Sequence, residues 1–292
     1  MENSLTLKEI LSMDFPHPCL AVLGDPISHS LSPAMHNAAL QTLAKDHPEL
    51  RQVKYLRLHI KPEELAETLA VLRTKNFIGL NLTVPHKIAA LGLVKSLSTE
   101  AKKSESVNTL VPMQDGWAGH TTDGQGFLEA LTEYSGGSVA QKDIIILGAG
   151  GAARAIATTC LQSGCRTLII ANRDIAKAKN LVSALSDPKV SAVGLKDITT
   201  IKSGSIIVNC TTLGLKPEDE SPLAESVLKN AVFIFDTTYG AHQTNLIKLA
   251  KNLGIKSCDG RSMLRWQGAL AFKLWTGITP PHEPMRAALG EK

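Results

Sequence analysis

Gly148-Ala149-Gly150-Gly151-Ala152-Ala153 stands directly after the apolar run DIIIL (143–147) and opens a helix-length segment. The run fits GxGxxA between a strand and a helix. In such a turn the first glycine makes the tight bend and the second lets the backbone approach a pyrophosphate. The third small residue lets the helix pack on the sheet, with its N-terminus facing the phosphates. The bland alternative is an ordinary glycine-rich turn in a doubly wound sheet. Asn172-Arg173-Asp174 lies 24 positions beyond Gly148, where a dinucleotide site reads the adenosine ribose. Arg173 can offer its planar fork to a 2′-phosphate, and Lys177 sits one helical turn further, which favours NADP. Asp174 argues for NAD, because a carboxylate pointing inward repels that phosphate.

Other chemistries lack their residues. The nine histidines form no HExxH and no zinc spacing with the five cysteines, so no metal is expected. Neither GxSxG nor GxxxxGK[ST] occurs, which removes serine-hydrolase and nucleoside-triphosphatase readings.

The elements that must carry these residues alternate between strands and helices. CLAVLG (19–24), KYLRLHI (54–60), FIGLNLTV (77–84) and VNTLV (107–111) read as strands. Helices are expected from Ser32 to about Leu43 and after Lys61, where Pro62-Glu63-Glu64 suits a first turn. A second series follows: DIIILGAGG (143–151), a helix from Ala152 to Ser163 stopped by Gly164, then TLIIANR (167–173), SIIVNCTT (205–212) and AVFIFDTT (231–238). SMLRWQGALAFKLWTG (262–277) is a further helix. The turn-rich YSGGSVAQ (134–141) is the best linker into the second series. Such alternation means crossover units and a largely parallel sheet.

At 292 residues the chain suggests two domains. Lys and Arg number 31 against 27 Asp and Glu, a net charge of +4 without a basic block, which speaks against a nucleic-acid partner. Aromatics at 4% leave little for base stacking, and 43% hydrophobic residues can build real cores. No leader and no membrane span is evident, and the five cysteines suggest free thiols, so cytoplasmic residence is expected.

Several segments in fixed order resemble the shikimate dehydrogenase family. They are GDPISHSLSP (24–33) with His36-Asn37, NLTVPHK (81–87), VNT (107–109), TDG (122–124), GAGGAARA (148–155), Asn172-Arg173, Asp236 with Tyr239, and GRSML (260–264) with Gln267. The resemblance implies an N-terminal α/β substrate-binding domain with a mostly parallel sheet, residues 1–123, completed by the C-terminal helix region 262–292. Residues 124–261 are then a Rossmann-like doubly wound NADP-binding domain, and the cleft between the two holds nicotinamide against substrate. The implied reaction is reversible NADPH-dependent reduction of 3-dehydroshikimate to shikimate, a step of aromatic amino-acid biosynthesis. Its partners are those small molecules, with homodimer formation left open.

The family pattern implies roles residue by residue. Lys87 and Asp123 are the catalytic residues. A lysine beside the carbonyl oxygen can stabilise developing charge and move the proton, while the aspartate orients it. Positive charge at a helix start opposes the helix dipole, a mild sign that something else holds Lys87. Ser30 and Ser32 take the substrate carboxylate; two apart on an extended segment, their hydroxyls face the same side. Ser32 can also cap the helix beginning at Pro33. Thr83, Asn108, Tyr239 and Gln267 complete the substrate set, and a buried Asn108 needs a hydrogen-bond partner in substrate or protein. The cofactor set is Gly148, Ala149, Gly150, Gly151, Ala152, Asn172, Arg173, Lys177, Thr237 and Gly260. His29, His36 and His86 read as packing or backbone-bonding residues. Thr121 departs from the family's asparagine and leaves one hydrogen bond around Asp123 open. Two rival readings stand: an NAD-preferring quinate/shikimate dehydrogenase, kept alive by Asp174, and a catalytically silent sensor of shikimate-like acids.

Overall fold

The computed structural model describes residues 4–240 and 242–291. The chain divides into two compact units, residues 1–122 with 267–292, and residues 123–266.

Unit 1 holds one seven-stranded sheet. Its strands are β1 (Leu5–Thr6), β2 (Cys19–Gly24), β3 (Lys54–His59), β4 (Phe77–Leu82), β5 (Ser96–Leu97), β6 (Thr109–Met113) and β7 (Gly116–His120), in the order β1-β3-β2-β4-β6-β7-β5. The first four positions are parallel. β6 then runs antiparallel to both β4 and β7. This hairpin was not foreseen from the sequence, because Trp117 and Ala118 lie among glycines and give a weak strand signal. Helices α1 (Leu7–Ser12), α2 (Ser32–Leu43), α3 (Leu65–Thr74), α4 (His86–Ala89) and α5 (Thr99–Ser104) connect the strands. Ahead of the first motif, residues 5–12 form β1 and α1. Thr6 and Glu9 make a reciprocal capping box at the start of α1, while Leu7 and Ile10 enter the core.

In unit 2 the strands are β8 (Asp143–Leu147), β9 (Thr167–Asn172), β10 (Val190–Gly194), β11 (Ser205–Asn209), β12 (Ala231–Asp236) and β13 (Lys256–Cys258). All pair in parallel, in the order β10-β9-β8-β11-β12-β13. That is the doubly wound order in which strands on either side of β8 run outward in opposite directions. Helices α6 (Asp123–Ser135), α7 (Gly151–Gln162), α8 (Ile175–Leu185), α9 (Glu225–Leu228) and α10 (Asn245–Asn252) accompany them. Alternation explains why the strands read as unbroken apolar runs. Ile144, Ile146, Val208 and Phe235 join one core cluster; Ile145, Leu147, Ile207 and Ile234 join the other. Both faces are covered, so every position of β8 and β11 is buried.

The stretch 134–141 is not a linker between units: it lies inside unit 2, and α6 runs through Ser135. Glycines there mark only the turn from α6 into β8, a local signal that says nothing about domain membership. The division falls instead just before Asp123, and again within α11 (Arg261–Thr276), between Trp266 and Gln267. α12 (His282–Leu289) closes the chain in unit 1, packed on α2.

A neutral histidine is built into unit 1. His36 is fully buried, its ring stacked 4.2 Å from Tyr55 with planes 7° apart, and Phe272 stacks beyond it. Neither ring nitrogen has a hydrogen-bond partner among the described residues, and burial pushes its pKa down to about 3. The unfolded chain protonates this group near its ordinary 6.5, so between these values it binds one proton more than the folded state. Stability from this group is therefore complete above that ordinary value and falls as pH drops, by about 1.4 kcal/mol per unit. We expect His36→Phe, which keeps a stacked ring, to remove one proton's worth of slope between urea unfolding at about pH 6 and about pH 5. An unchanged slope refutes the assignment.

Candidate functional site

The candidate substrate residues of unit 1 gather where β2, β4 and β6 meet their loops. Thr83 follows β4, and its amide donates to the Leu23 carbonyl at 2.9 Å, tying the segment to the end of β2. Lys87, half-buried, lies in α4, and its carbonyl accepts from Val107 N–H at 2.8 Å. His86 anchors this turn: its Nε2 lies 2.8 Å from the Ile60 carbonyl oxygen and so carries the proton and donates. His86 is thus a backbone-bonding residue and His36 a packing one, while His29 is exposed.

Asn108 is 1% exposed and finds its partners in the protein. Its Nδ2 donates to Thr122 Oγ1 at 2.9 Å and to Gln267 Oε1 at 3.1 Å, and its Oδ1 accepts from Thr122 N–H at 2.8 Å. Asn81, behind it, donates to the Asn108 carbonyl at 3.0 Å and accepts from the Tyr55 hydroxyl at 2.7 Å. Buried amides cost free energy unless paired, so this network holds one arrangement of Asn108, Thr122 and Gln267. Tyr55, Asn81 and Thr122 were not singled out as functional; an amide inside an apolar strand was the readable signal for Asn81. Thr121, next to this network, keeps a buried hydroxyl without a hydrogen-bond partner among the described residues.

The serine pair differs from expectation. Leu31 between the two is helical, with φ −89° and ψ −2°, so the same-side argument for an extended segment does not apply. Nor does Ser32 cap α2: it is the first helical residue, and Ser30 Oγ accepts from Ser32 N–H at 3.3 Å. Pro33 fits the second position, and that moves the start of the helix one residue earlier than proline alone suggests.

Unit 2 brings its candidate cofactor residues to the C-terminal ends of its strands. Gly148 has φ +109°, and a Cβ there would stand 2.9 Å from the Cys210 carbonyl oxygen, so only glycine fits. A Cβ on Gly150 would meet nothing within 4 Å, which leaves open space over the start of α7. That space, bare backbone at a helix N-terminus, fits a pyrophosphate. It sits at the end of β8, where the strand order reverses and doubly wound folds bind ligands. Thr237 and Gly260 come together as well: a Cβ on Gly260 would lie 2.1 Å from the Thr237 carbonyl oxygen, and Gly260 N–H donates to the Thr238 carbonyl. Asp236 organises this end. Its buried carboxylate accepts from Thr244 Oγ1 at 2.6 Å, Asn209 Nδ2 at 2.9 Å and Thr238 N–H at 3.0 Å. Burial pushes its pKa up, and these bonds pull it back. Asn209 and Thr244 carried no sequence signal beyond their residue types. Tyr239 is half-buried three residues beyond Asp236, and Asp123 is the buried first residue of α6.

In the turn after β9, the candidate ribose reader, Asp174 is a helix cap. Its Oδ1 accepts from Ala176 N–H at 3.0 Å as the N-cap of α8, and Asn172 Nδ2 donates to its carbonyl at 2.9 Å. Arg173 and Lys177 stay exposed. Serine keeps a cap acceptor without the charge. We therefore expect Asp174→Ser to lower the Michaelis constant for NADP by about two- to fivefold, and that for NAD by less than about twofold. Equal shifts for both cofactors in steady-state assays would mean that Asp174 does not sense the 2′-phosphate.

Three family models match the chain in succession: the shikimate dehydrogenase substrate binding domain at residues 22–110, shikimate / quinate 5-dehydrogenase at 130–238, and the shikimate 5'-dehydrogenase C-terminal domain at 260–289. The chain is 37% identical over 268 residues to a shikimate dehydrogenase (NADP(+)) of Bacillus cereus (strain AH187), covering 91% of this chain and 95% of the relative. A counterpart from Moorella thermoacetica is also 37% identical, over 279 residues, covering 93% and 92% of the two chains. Among solved structures, shikimate 5-dehydrogenase of Thermus thermophilus, in complex with NADP(H) and shikimate, superposes with a TM-score of 0.81. It is 35% identical, and the match covers 94% of this chain and 98% of that one.

Proposed function

This chain belongs to the shikimate dehydrogenase family, and we infer from that membership that it catalyses the reversible NADPH-dependent reduction of 3-dehydroshikimate to shikimate. The observation that carries the reading is the near full-length likeness to an enzyme solved with NADP(H) and shikimate. The fold is compatible: two α/β units, one of them doubly wound, with open space over the backbone at Gly150. Names of the curated relatives specify NADP(+), which does not favour the NAD-preferring quinate alternative. The same reading places the protein in the cytoplasm; among the described residues no helix is long and apolar enough to cross a membrane.

We assign unit 1 to substrate and unit 2 to cofactor. The backbone of Gly148 to Ala152 holds the pyrophosphate, Arg173 and Lys177 face the 2′-phosphate, and Asn172, Thr237 and Gly260 complete the cofactor set. Bound NADPH supplies the hydride. As the ketone oxygen gains charge, Lys87 stabilises it and gives up a proton, and the carbonyl becomes the alcohol of shikimate. Asp123 is the second member of this relay. Ser30, Ser32 and Tyr239 take the carboxylate; Thr83, Asn108 and Gln267 take ring hydroxyls, the last two already held in register by their mutual bond. A carboxylate and three hydroxyls need this many fixed partners for one orientation.

The test is a matrix of shikimate and quinate against NADP and NAD, read at the absorbance of reduced nicotinamide. Shikimate with NADP should be the fastest pair. Faster turnover of quinate with NAD at saturation would overturn the assignment, and no turnover of any pair would leave a ligand sensor.

A further inference from the structure

His36-Asn37 and VNT (107–109) belong to the ordered set of segments, yet His36, Asn37 and Thr109 take no part in substrate or cofactor binding as assigned above. His36 and Asn37 bear directly on Tyr55 of β3. Asn37 clamps its backbone, donating to the Tyr55 carbonyl at 3.0 Å and accepting from its N–H at 2.8 Å, while His36 stacks on the ring.

The Tyr55 hydroxyl heads a chain of buried hydrogen bonds. It donates to Asn81 Oδ1 at 2.7 Å. Asn81 Nδ2 donates at 3.2 Å to Oγ1 of Thr109, the residue opposite it on β6. The Thr109 hydroxyl donates to Asn108 Oδ1 at 2.9 Å, and Asn108 Nδ2 donates to Gln267 Oε1 at 3.1 Å. None of these five residues is more than 8% exposed.

Backbone groups fix the direction of the chain at two points. A carbonyl only accepts, and Asn81 Nδ2 also donates to the Asn108 carbonyl at 3.0 Å, so Asn81 turns its Oδ1 to Tyr55. A backbone N–H only donates, and that of Thr122 lies 2.8 Å from Asn108 Oδ1, so Asn108 turns its Nδ2 to Gln267. Every donor therefore points the same way, from Tyr55 to Gln267, and bonds in such a chain strengthen one another. Without the Tyr55 hydroxyl, Asn81 Oδ1 loses its donor. Any rotation of the amide that seeks another breaks its bonds to Thr109 and Asn108.

We propose that Tyr55 is a positioning residue for substrate binding, its hydroxyl fixing the amides of Asn108 and Gln267 through Asn81 and Thr109. The proposal rests on the assignment of those two amides to substrate hydroxyls.

Calorimetric titration of the full chain with shikimate, and separately with NADP, tests it without turnover. Tyr55→Phe keeps the ring and should weaken shikimate by about three- to tenfold, the range of one hydrogen bond, with NADP affinity unchanged. In initial-rate assays the Michaelis constant for shikimate should rise by the same factor at constant kcat, because a ring hydroxyl is held alike in ground and transition states. Thr109→Val breaks the chain midway and should weaken shikimate similarly; adding Tyr55→Phe to it should cost nothing more. His36→Phe keeps the stack, touches no link of the chain and should leave shikimate affinity as it is. Unchanged affinity in Tyr55→Phe, equal weakening of NADP, or additive losses in the double variant overturns the proposal. So does a loss in His36→Phe equal to that in Tyr55→Phe, because packing then accounts for the effect. A wild-type chain that does not bind shikimate sinks the substrate reading and the positioning role with it, whereas binding indifferent to Tyr55 sinks the positioning role alone.

Discussion

Lys87→Ala should lower kcat for 3-dehydroshikimate reduction by about 100- to 10,000-fold, the usual cost of losing one positioned general acid or base. The substrate Michaelis constant stays within a few-fold. The asymmetry follows from where charge changes. A ketone oxygen is nearly neutral in the ground state and becomes an alkoxide in the transition state, so an ammonium beside it acts mostly on the latter. The turn that carries Lys87 is anchored independently of its side chain, by His86 to the Ile60 carbonyl and by Val107 to the Lys87 carbonyl. Alanine therefore removes the ammonium and leaves the turn in place. Lys87→Arg separates charge from proton transfer: guanidinium keeps the charge but surrenders no proton near neutral pH. An arginine variant that retained most activity would show that charge suffices and that Lys87 is not the proton carrier. The readout is initial rates at the reduced-nicotinamide band, with both constants fitted separately.

Arg173→Ala should raise the Michaelis constant for NADP by about 10- to 100-fold, the range of one charge-assisted hydrogen bond at a partly solvated site, and leave that for NAD nearly unchanged. Only NADP carries the 2′-phosphate. The exposed Arg173 sits between the two residues that shape the turn, Asn172 and Asp174, the first donating to the carbonyl of the second. Its removal leaves the N-cap of α8 intact. The loss should also shrink as salt rises, because an exposed pair is screened. Equal weakening of both cofactors would show that Arg173 shapes the loop and does not read the phosphate.

The doubly wound unit was legible because its signal is local. Short runs such as DIIIL and SIIVN can be buried along their whole length only where both sheet faces are covered, and a glycine turn straight after one of them places the cofactor end. The mixed half of unit 1 was less legible. β7 is written as GWAGH, and its pairing with β6 comes from a tight turn and from Trp117, whose indole donates to the Leu69 carbonyl of α3. No short-range pattern announces a strand stabilised from a helix elsewhere. The serine pair shows the same gap at the scale of one dihedral: helical backbone at Leu31 removes the same-side argument for the two hydroxyls.

By itself the sequence determined the residue types, their order, and through that ordered set the family. It also determined which short segments must be buried strands, since burial on two faces demands apolar side chains along nearly the whole run. Only tertiary structure decided the partners of the buried polar groups. Asn108 and Gln267 are 159 positions apart and meet at 3.1 Å, and Asn209, Asp236 and Thr244 converge from two strand ends and a helix cap. It also decided that Asp174 caps a helix and that His36 stays neutral in a stack of rings. The physical reason is range. Propensity and periodicity act over a few residues, whereas the satisfaction of a buried amide, carboxylate or imidazole depends on whatever the folded chain brings within about 3 Å.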